Sequence, residues 1–342
     1  MSDSMDHKAL IYHGVPPNHC CVGAALRIMP DGEWITFITT GGVNEPEIDN
    51  HVVLCRSTDR GEVWRSTEIV LRYPDRGCLF SEATVIGDRI TLYVHSHDGH
   101  FGDWRNLVME SSDGGRTWTE PVPFEPMPHR AFFWAPCRMR DGALVLPFEL
   151  FVPVNGDWDS SPLGEKDRLP SLNGALVSRD GGETWIESNR VGPTFGWAES
   201  SIAELSDGTL AMLIRADGTG HILRSGSRDG GLTWSEPVPT DIPNPGTKFQ
   251  LHGLSDGRIC LVHNPNSATS HPNSCPGAAC HRNPLALWIS DDDMESWGYR
   301  RDLTDFPGML AYPDGVLEGD EWLHFAFDYN RHDVIYWGAR LP

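Results

Sequence analysis

The chain has 342 residues, with 35 glycines, 26 prolines and a formal net charge of −21 at pH 7. Such acidity argues against non-specific nucleic-acid binding and against docking on anionic membranes. No apolar run approaches the roughly 18 residues that a spanning helix needs. Met1 to Lys8 is polar with no apolar stretch behind it, so a cytoplasmic location is expected.

In chain order, the first alternating segment is Lys8 to His13, KALIYH. Two turn signals then interleave. Asp31-Gly32, between two apolar runs, is followed by Ser57 to Trp64, STDRGEVW. Gly87-Asp88 is followed by Ser111 to Trp118, SSDGGRTW, and Asp141-Gly142 by Ser178 to Trp185, SRDGGETW. Asp207-Gly208 precedes Ser227 to Trp234, SRDGGLTW, and Asp256-Gly257 precedes Ser290 to Trp297, SDDDMESW. Gly319-Asp320 opens a last unit without an octapeptide, ending in Val334 to Arg340. The D-G pairs read as hairpin turns, with Gly supplying positive φ. In the octapeptide, Asp accepts hydrogen bonds from turn amides and Trp buries its ring against neighbouring strands.

Each unit is therefore strand, turn, strand, loop, strand, turn, strand. Four antiparallel strands repeated at this period predict a propeller blade. The sixth unit lacks its outer strand, and Lys8 to His13 is expected to supply it by pairing with Val334 to Arg340, leaving no open edge. The expectation is an all-β, six-bladed β-propeller of four-stranded antiparallel blades, one domain over residues 1–342, its ring closed by the N-terminal strand. The irregular segments, Thr39 to Asn50, His95 to Arg105, Phe151 to Leu169 and Asn264 to Pro284, belong to the opposite edge from the repeated turns. Function sits on such loops. Eight cysteines without a C-x-x-C pair read as free thiols, Cys275 and Cys280 sharing one loop.

The residues opening the inner strands include Glu82, Trp134, Glu199, His252 and Tyr312. The ends of the second strands add His95, Glu149, Arg215, His263 and Asp328. Carboxylates, imidazoles, an arginine and a phenol converging in this way suit a sugar site better than a packed core. Trp104, Trp134 and Trp197 either stack on sugars or pack between blades. No spacing resembles a zinc motif such as H-E-x-x-H, and no metal or cofactor is expected.

The octapeptides are Asp boxes, and over nearly its whole length the chain resembles the sialidase-like (BNR-repeat) superfamily. In that family a Glu opens one blade as E-x-x-x-x-E-L-x-D-G and an Arg follows the next strand. Here Glu199-Ser-Ser-Ile-Ala-Glu204-Leu-Ser-Asp207-Gly208 runs on to Arg215. The resemblance implies Tyr312 as nucleophile, Glu199 as its base, Glu45 as acid/base with Asp49 as the other choice, and Arg215 with Arg282 as a carboxylate clamp. Glu82, His95, Trp134, His252 and His263 would line the substrate. A phenol with pKa near 10 needs such a base to attack, and Arg forks suit a planar carboxylate. One departure stands out. The place of the family's first Arg falls near Val22.

The function so implied is a carbohydrate-active enzyme, an exo-acting glycoside hydrolase on a glycan with a terminal acidic sugar. A polysaccharide lyase for uronate-containing glycans is the alternative on the same scaffold, with His95, His252 or Tyr312 taking the C5 proton. A glycan- or protein-binding propeller without catalysis is the third reading.

Overall fold

The computed structural model describes residues 6–152, 170–268 and 281–342. Much of the two long loops expected at Phe151 to Leu169 and Asn264 to Pro284, with the Cys275/Cys280 pair, lies outside the described residues. The described residues hold 26 strands and six sheets, the blades of a six-bladed, all-β propeller.

Strand β1 (His7–His13) stands first in the chain. Blade one is β2 (Cys21–Ile28), β3 (Trp34–Thr40), β4 (His51–Ser57) and β5 (Arg65–Leu71). Blade two is β6 (Gly77–Ile86), β7 (Arg89–His97), β8 (Arg105–Ser111) and β9 (Val122–Pro123). In blade three the inner position is split into β10 (Ala131–Phe133) and β11 (Cys137–Arg138), both pairing with β12 (Leu144–Phe151). Its third strand is β13 (Pro170–Ser178), and the outer position is split into β14 (Ile186–Glu187) and β15 (Val191–Phe195). Pro136, which cannot donate to a ladder, lies in the gap between β10 and β11.

Blade four is β16 (Ser200–Glu204), β17 (Leu210–Ile214), β18 (His221–Ser227) and β19 (Val238–Pro243). Blade five is β20 (Gln250–Gly253), β21 (Ile259–His263), β22 (Ala286–Ser290) and β23 (Tyr299–Asp302). Blade six is β24 (Leu310–Glu318), β25 (Trp322–Tyr329) and β26 (Asp333–Arg340), completed by β1. The pairing of β1 with β26 is antiparallel, from His7 opposite Gly338 to His13 opposite Asp333. The expected closure by the N-terminal strand is thus present.

Two compact units divide the blades. Met1–Val122, Leu254–Asp256 and Leu310–Pro342 hold blades one, two and six, and Pro123–Gly253 with Gly257–Met309 hold blades three, four and five. In the first unit Phe37, Leu54, Phe80, Leu92 and Val94 form a core between blades one and two. In the second, Val145, Val177, Met212, Ile214 and Trp234 do so between blades three and four. Strands such as β4 and β12 are buried at every position. A blade's middle strands are covered on both faces, so they read as continuous apolar runs rather than clean alternation.

Polar groups also join blades within the first unit. Arg27 on β2 donates from Nη1 to Asp314 Oδ1 on β24 at 2.8 Å, from Nε to the Ala83 carbonyl at 2.8 Å, and from Nη2 to Glu82 Oε1 on β6. All three side chains are buried. Burial works against the charge on Arg27, but the Glu82 and Asp314 carboxylates outweigh it and hold the guanidinium protonated. One arginine therefore ties the inner strands of blades one, two and six.

The Asp boxes form the turns that their composition demands. In the fourth, Ser227 Oγ donates to Asp229 Oδ1 at 2.9 Å, and the Thr233 amide and hydroxyl donate to the two carboxylate oxygens at 2.9 and 2.6 Å. Gly230 and Gly231 take φ of 74° and 91°, and Trp234 is buried with Nε1 on the Gly231 carbonyl at 3.0 Å. The fifth box keeps the same turn without glycine, since Asp293 and Met294 adopt φ of 58° and 67°.

Burial alone would raise the Asp229 pKa, but the bonds from Thr233, Ser227 and Leu232 win and hold it below the usual aspartate value. A depressed folded-state pKa contributes stability that is complete above the unfolded pKa and is lost as pH falls through the folded one. Asp229→Ala is therefore expected to cost about 1–3 kcal/mol at neutral pH. Urea titrations should show the deficit shrinking below about pH 4, where the wild-type carboxylate also starts to protonate. A deficit independent of pH would contradict this account of the box.

Candidate functional site

Each unit carries part of the predicted constellation. In the second, Glu199 precedes β16 and Arg215 follows β17, so hairpin pairing sets them side by side, with the Arg215 amide on the Glu199 carbonyl at 2.9 Å. The Arg215 Nη1 then donates to both Glu199 carboxylate oxygens, at 2.8 and 2.9 Å. Both residues are buried. The remaining fork of Arg215 is filled from the more accessible side. Nε and Nη2 donate to Asp217 Oδ1 and Oδ2 at 2.6 and 3.0 Å, and the Asp217 side chain keeps 25% exposure.

Asp217 is wedged between two glycines. A Cβ on Gly196 would lie 3.0 Å from Oδ2, and one on Gly246 would lie 2.7 Å from Oδ1. The Gly246 carbonyl in turn accepts from Arg282 Nη2 at 2.8 Å. Arg282 and Arg215 thus sit on either side of one Gly-Asp contact.

Glu149, at the end of β12, joins the same group. Its Oε1 accepts from the Ala198 amide at 2.7 Å and from Ser171 Oγ at 3.3 Å. Its Oε2 is buried and has no hydrogen-bond partner among the described residues. Burial, then the charge of Glu199, pushes the Glu149 carboxyl well above the usual range, and the Ala198 amide and Arg215 only partly oppose this. A second carboxyl that burial drives toward its neutral form therefore shares this pocket of unit-two residues with the Glu199–Arg215 ion pair.

Trp134 is buried and stacked on Phe132 with centroids 5.7 Å apart, and Lys248 Nζ lies 5.3 Å from its ring centroid. Trp197 is only half-buried and stands edge-on to Phe151 at 5.3 Å. His252 is half-buried. His263 is fully buried, T-shaped on Trp288 at 4.5 Å, and burial lowers its pKa to about 3. It is a neutral packing ring.

In the first unit Tyr312 sits where β24 breaks register between Ala311 and Asp314, with φ of 58°. A left-handed tyrosine is strained, and such strain gathers at functional sites. Asn330 and Arg331 hold φ of 57° and 54° in the turn between β25 and β26. Arg331 Nη2 donates to Glu45 Oε1 at 2.5 Å. Burial works against the Arg331 charge, but Glu45, Tyr312, Cys20 and Asp328 outweigh it and hold the guanidinium protonated. Burial and the Glu45 charge push the Cys20 thiol up to about 12, which leaves it a poor nucleophile.

The loop that carries Glu45 is built by its neighbours. Asn50 Nδ2 donates to the Gly41 and Asn44 carbonyls at 2.6 and 2.9 Å, and Glu47 accepts the Val43 and Asn44 amides at 3.0 and 3.2 Å. Glu45 is thereby presented to Arg331, while exposed Asp49 faces Arg72 at 3.9 Å. Of the two acids expected in this loop, Glu45 is the one among the site residues.

Two other predicted contacts in this unit have partners of their own. Glu82 is buried in the Arg27 cluster, where its Oε1 also accepts the Ala83 amide at 2.7 Å. His95 is fully buried, 4.7 Å from the Trp104 ring, and burial lowers its pKa to about 3. His97 packs on Phe101 at 5.4 Å, and burial lowers it to about 4. This loop is a packed aromatic cluster with neutral imidazoles. Asp217 and Arg331 are the site residues that sequence reasoning missed. An R-x-D spacing was the available signal for Asp217.

Asp-box turns, a Glu–Arg pair spanning one blade hairpin and a strained tyrosine opening the last blade define a sialidase-like propeller. A family model described as BNR repeat-like domain matches residues 35–325, and the chain belongs to that family. It is 24% identical to a sialidase of Paraclostridium sordellii, over 91% of this chain and 80% of the relative. It is 26% identical to a sialidase of Clostridium perfringens, over 91% of this chain and 84% of the relative. Among solved structures, the Hadza microbial sialidase Hz136 superposes with a TM-score of 0.76 at 18% identity, covering 98% of this chain and 68% of the other. The protein is a glycoside hydrolase-like propeller of the sialidase superfamily.

Proposed function

We propose that the protein is an exo-acting glycoside hydrolase on glycans with a terminal acidic sugar. The observation that carries this reading is the buried Glu199–Arg215 ion pair, in which Arg215 Nη1 meets both carboxylate oxygens, at the spacing that the sialidase resemblance requires. The sialidase resemblance would assign attack on the anomeric carbon to Tyr312, the taking of its proton to Glu199, and protonation of the leaving oxygen and then activation of water to Glu45. A covalent glycosyl–enzyme intermediate follows, as in retaining glycosidases, with a tyrosine in place of the usual carboxylate. Arg282 and Arg215 face the sugar carboxylate. Half-buried Trp197 offers a ring for stacking.

A second reading is favoured by one specific observation. Asp217 already fills the Arg215 fork, and Glu45 already holds Arg331. A substrate carboxylate must displace Asp217 to bind Arg215 in bidentate fashion, whereas a neutral terminal sugar needs no such exchange.

A panel of fluorogenic aryl glycosides separates the readings. It should include a nonulosonic acid, uronic acids and neutral pentoses and hexoses. Hydrolysis of an acidic member, with kcat/KM rising in Asp217→Asn as the fork is freed, is the expected result. Turnover of neutral members alone selects the second reading. An unsaturated, ultraviolet-absorbing product from a uronate polymer would make the protein a lyase, and glycan binding without turnover would make it a binding propeller.

A further inference from the structure

We infer that His13, His332 and Asp333 form a divalent-metal site, of the zinc type, that clips the N-terminal strand to the last blade. His13 ends β1 and Asp333 begins β26, and the two are direct cross-strand partners. His13 Nδ1 lies 2.7 Å and His332 Nδ1 2.8 Å from the same oxygen, Asp333 Oδ1. All three ligand atoms lie within 4.8 Å of one another. Two imidazoles and one carboxylate with an open fourth position match zinc's ligand preferences.

The backbone is built for this approach. The Gly14 amide donates to the His332 carbonyl at 2.9 Å, and a Cβ on Gly14 would lie 2.5 Å from both the His19 and the His332 carbonyl oxygens. Only glycine lets the chain pass there. It brings His19 alongside as well, with its ring T-shaped on His332 at 4.6 Å.

The geometric change that binding requires is small. Ligand atoms around a tetrahedral zinc lie about 3.3 Å apart, given metal–ligand bonds of about 2.0–2.2 Å. The two Nδ1 atoms must withdraw from Asp333 Oδ1 by about half an ångström, which side-chain rotation supplies, since the groups are only partly buried. Each imidazole then carries its proton on Nε2 and offers the Nδ1 lone pair. The carboxylate exchanges two N–H donors for the cation. Nothing is oxidised or reduced. The consequence is thermodynamic, because a ligand that binds only when β1 is docked on β26 stabilises that docking by mass action.

The test uses the full, untagged chain, stripped with a chelator and titrated with zinc chloride near pH 7.5 by calorimetry. One equivalent should bind that is absent, or at least ~10-fold weaker, in His13→Ala and in Asp333→Asn. His221→Ala, an exposed histidine on β18, should keep it. In the wild type, zinc should raise Tm and slow amide exchange in His7–His13, and neither effect should appear in His13→Ala. His13 is exposed, so its variant folds. Failure of the wild type to bind, equal binding in His13→Ala, or binding that leaves exchange in His7–His13 unchanged would each overturn the site.

Discussion

Arg27→Leu is expected to destabilise the protein by about 3–5 kcal/mol, the cost of removing one partner from a buried ionic cluster. The substitution leaves two buried carboxylates, Glu82 and Asp314, without their shared cation. The Ala83 carbonyl loses a donor as well. The sign of the pH dependence follows from the charge. Without Arg27, Glu82 and Asp314 would prefer to be protonated in the folded state, so the penalty is full only while both stay ionised and fades as the pH falls through their raised folded-state values toward the ordinary carboxylate range. Denaturant titrations of both proteins at neutral and acid pH measure this directly. A loss under about 1 kcal/mol at neutral pH would mean that the cluster is bridged by solvent rather than closed. Turnover by the folded fraction of the variant should persist, because in this account Glu82 holds blades together rather than touching sugar.

Tyr312→Phe carries the largest expected effect on activity. It removes one oxygen and leaves the ring, the bulge in β24 and the left-handed backbone in place. If the phenol is the nucleophile, kcat should fall by at least ~10³-fold, the scale seen when a member of a nucleophilic constellation is deleted. KM and Tm should change little, since Phe keeps the same contact area. Arg331 stands close enough to the phenol for each to feel the other's charge, and a nearby cation favours a developing phenolate. Arg331→Met should therefore shift the ascending limb of the kcat/KM profile to higher pH. Unchanged turnover in the Phe variant would move the chemistry to Glu149 or His252.

The sequence made legible what is local. An Asp box is written in eight consecutive residues, because its hydrogen bonds run from Asp229 to Ser227, Leu232 and Thr233. Glu199 and Arg215 were legible for a related reason, since one hairpin of fixed length sets them opposite each other. Closure by Lys8 to His13 could be inferred because the sixth unit lacked a strand. The Arg27–Glu82–Asp314 cluster was not legible. Its members stand on three blades and leave no spacing pattern, and Arg27 reads as an ordinary strand residue.

Burial direction was a second blind spot. Both faces of a blade's middle strands are covered, so period-two alternation does not say whether His95 or His263 faces substrate or the next blade. Asp217 was hidden by its neighbour, because Asp217-Gly218 reads as one more turn. Arg331 was hidden in the same way, inside the Asn330-Arg331 hairpin turn.

Trapping the covalent intermediate tests the central claim most directly. The wild-type protein would be incubated with a fluorinated, activated glycoside of whichever sugar the panel shows it to hydrolyse, so that the second step is slowed. Intact-mass spectrometry followed by peptide mapping then locates the label. The expected result is a mass increase of one glycosyl unit, on Tyr312, that is absent in Tyr312→Phe. A label on any other residue, or none under conditions in which the first step is complete, would contradict it.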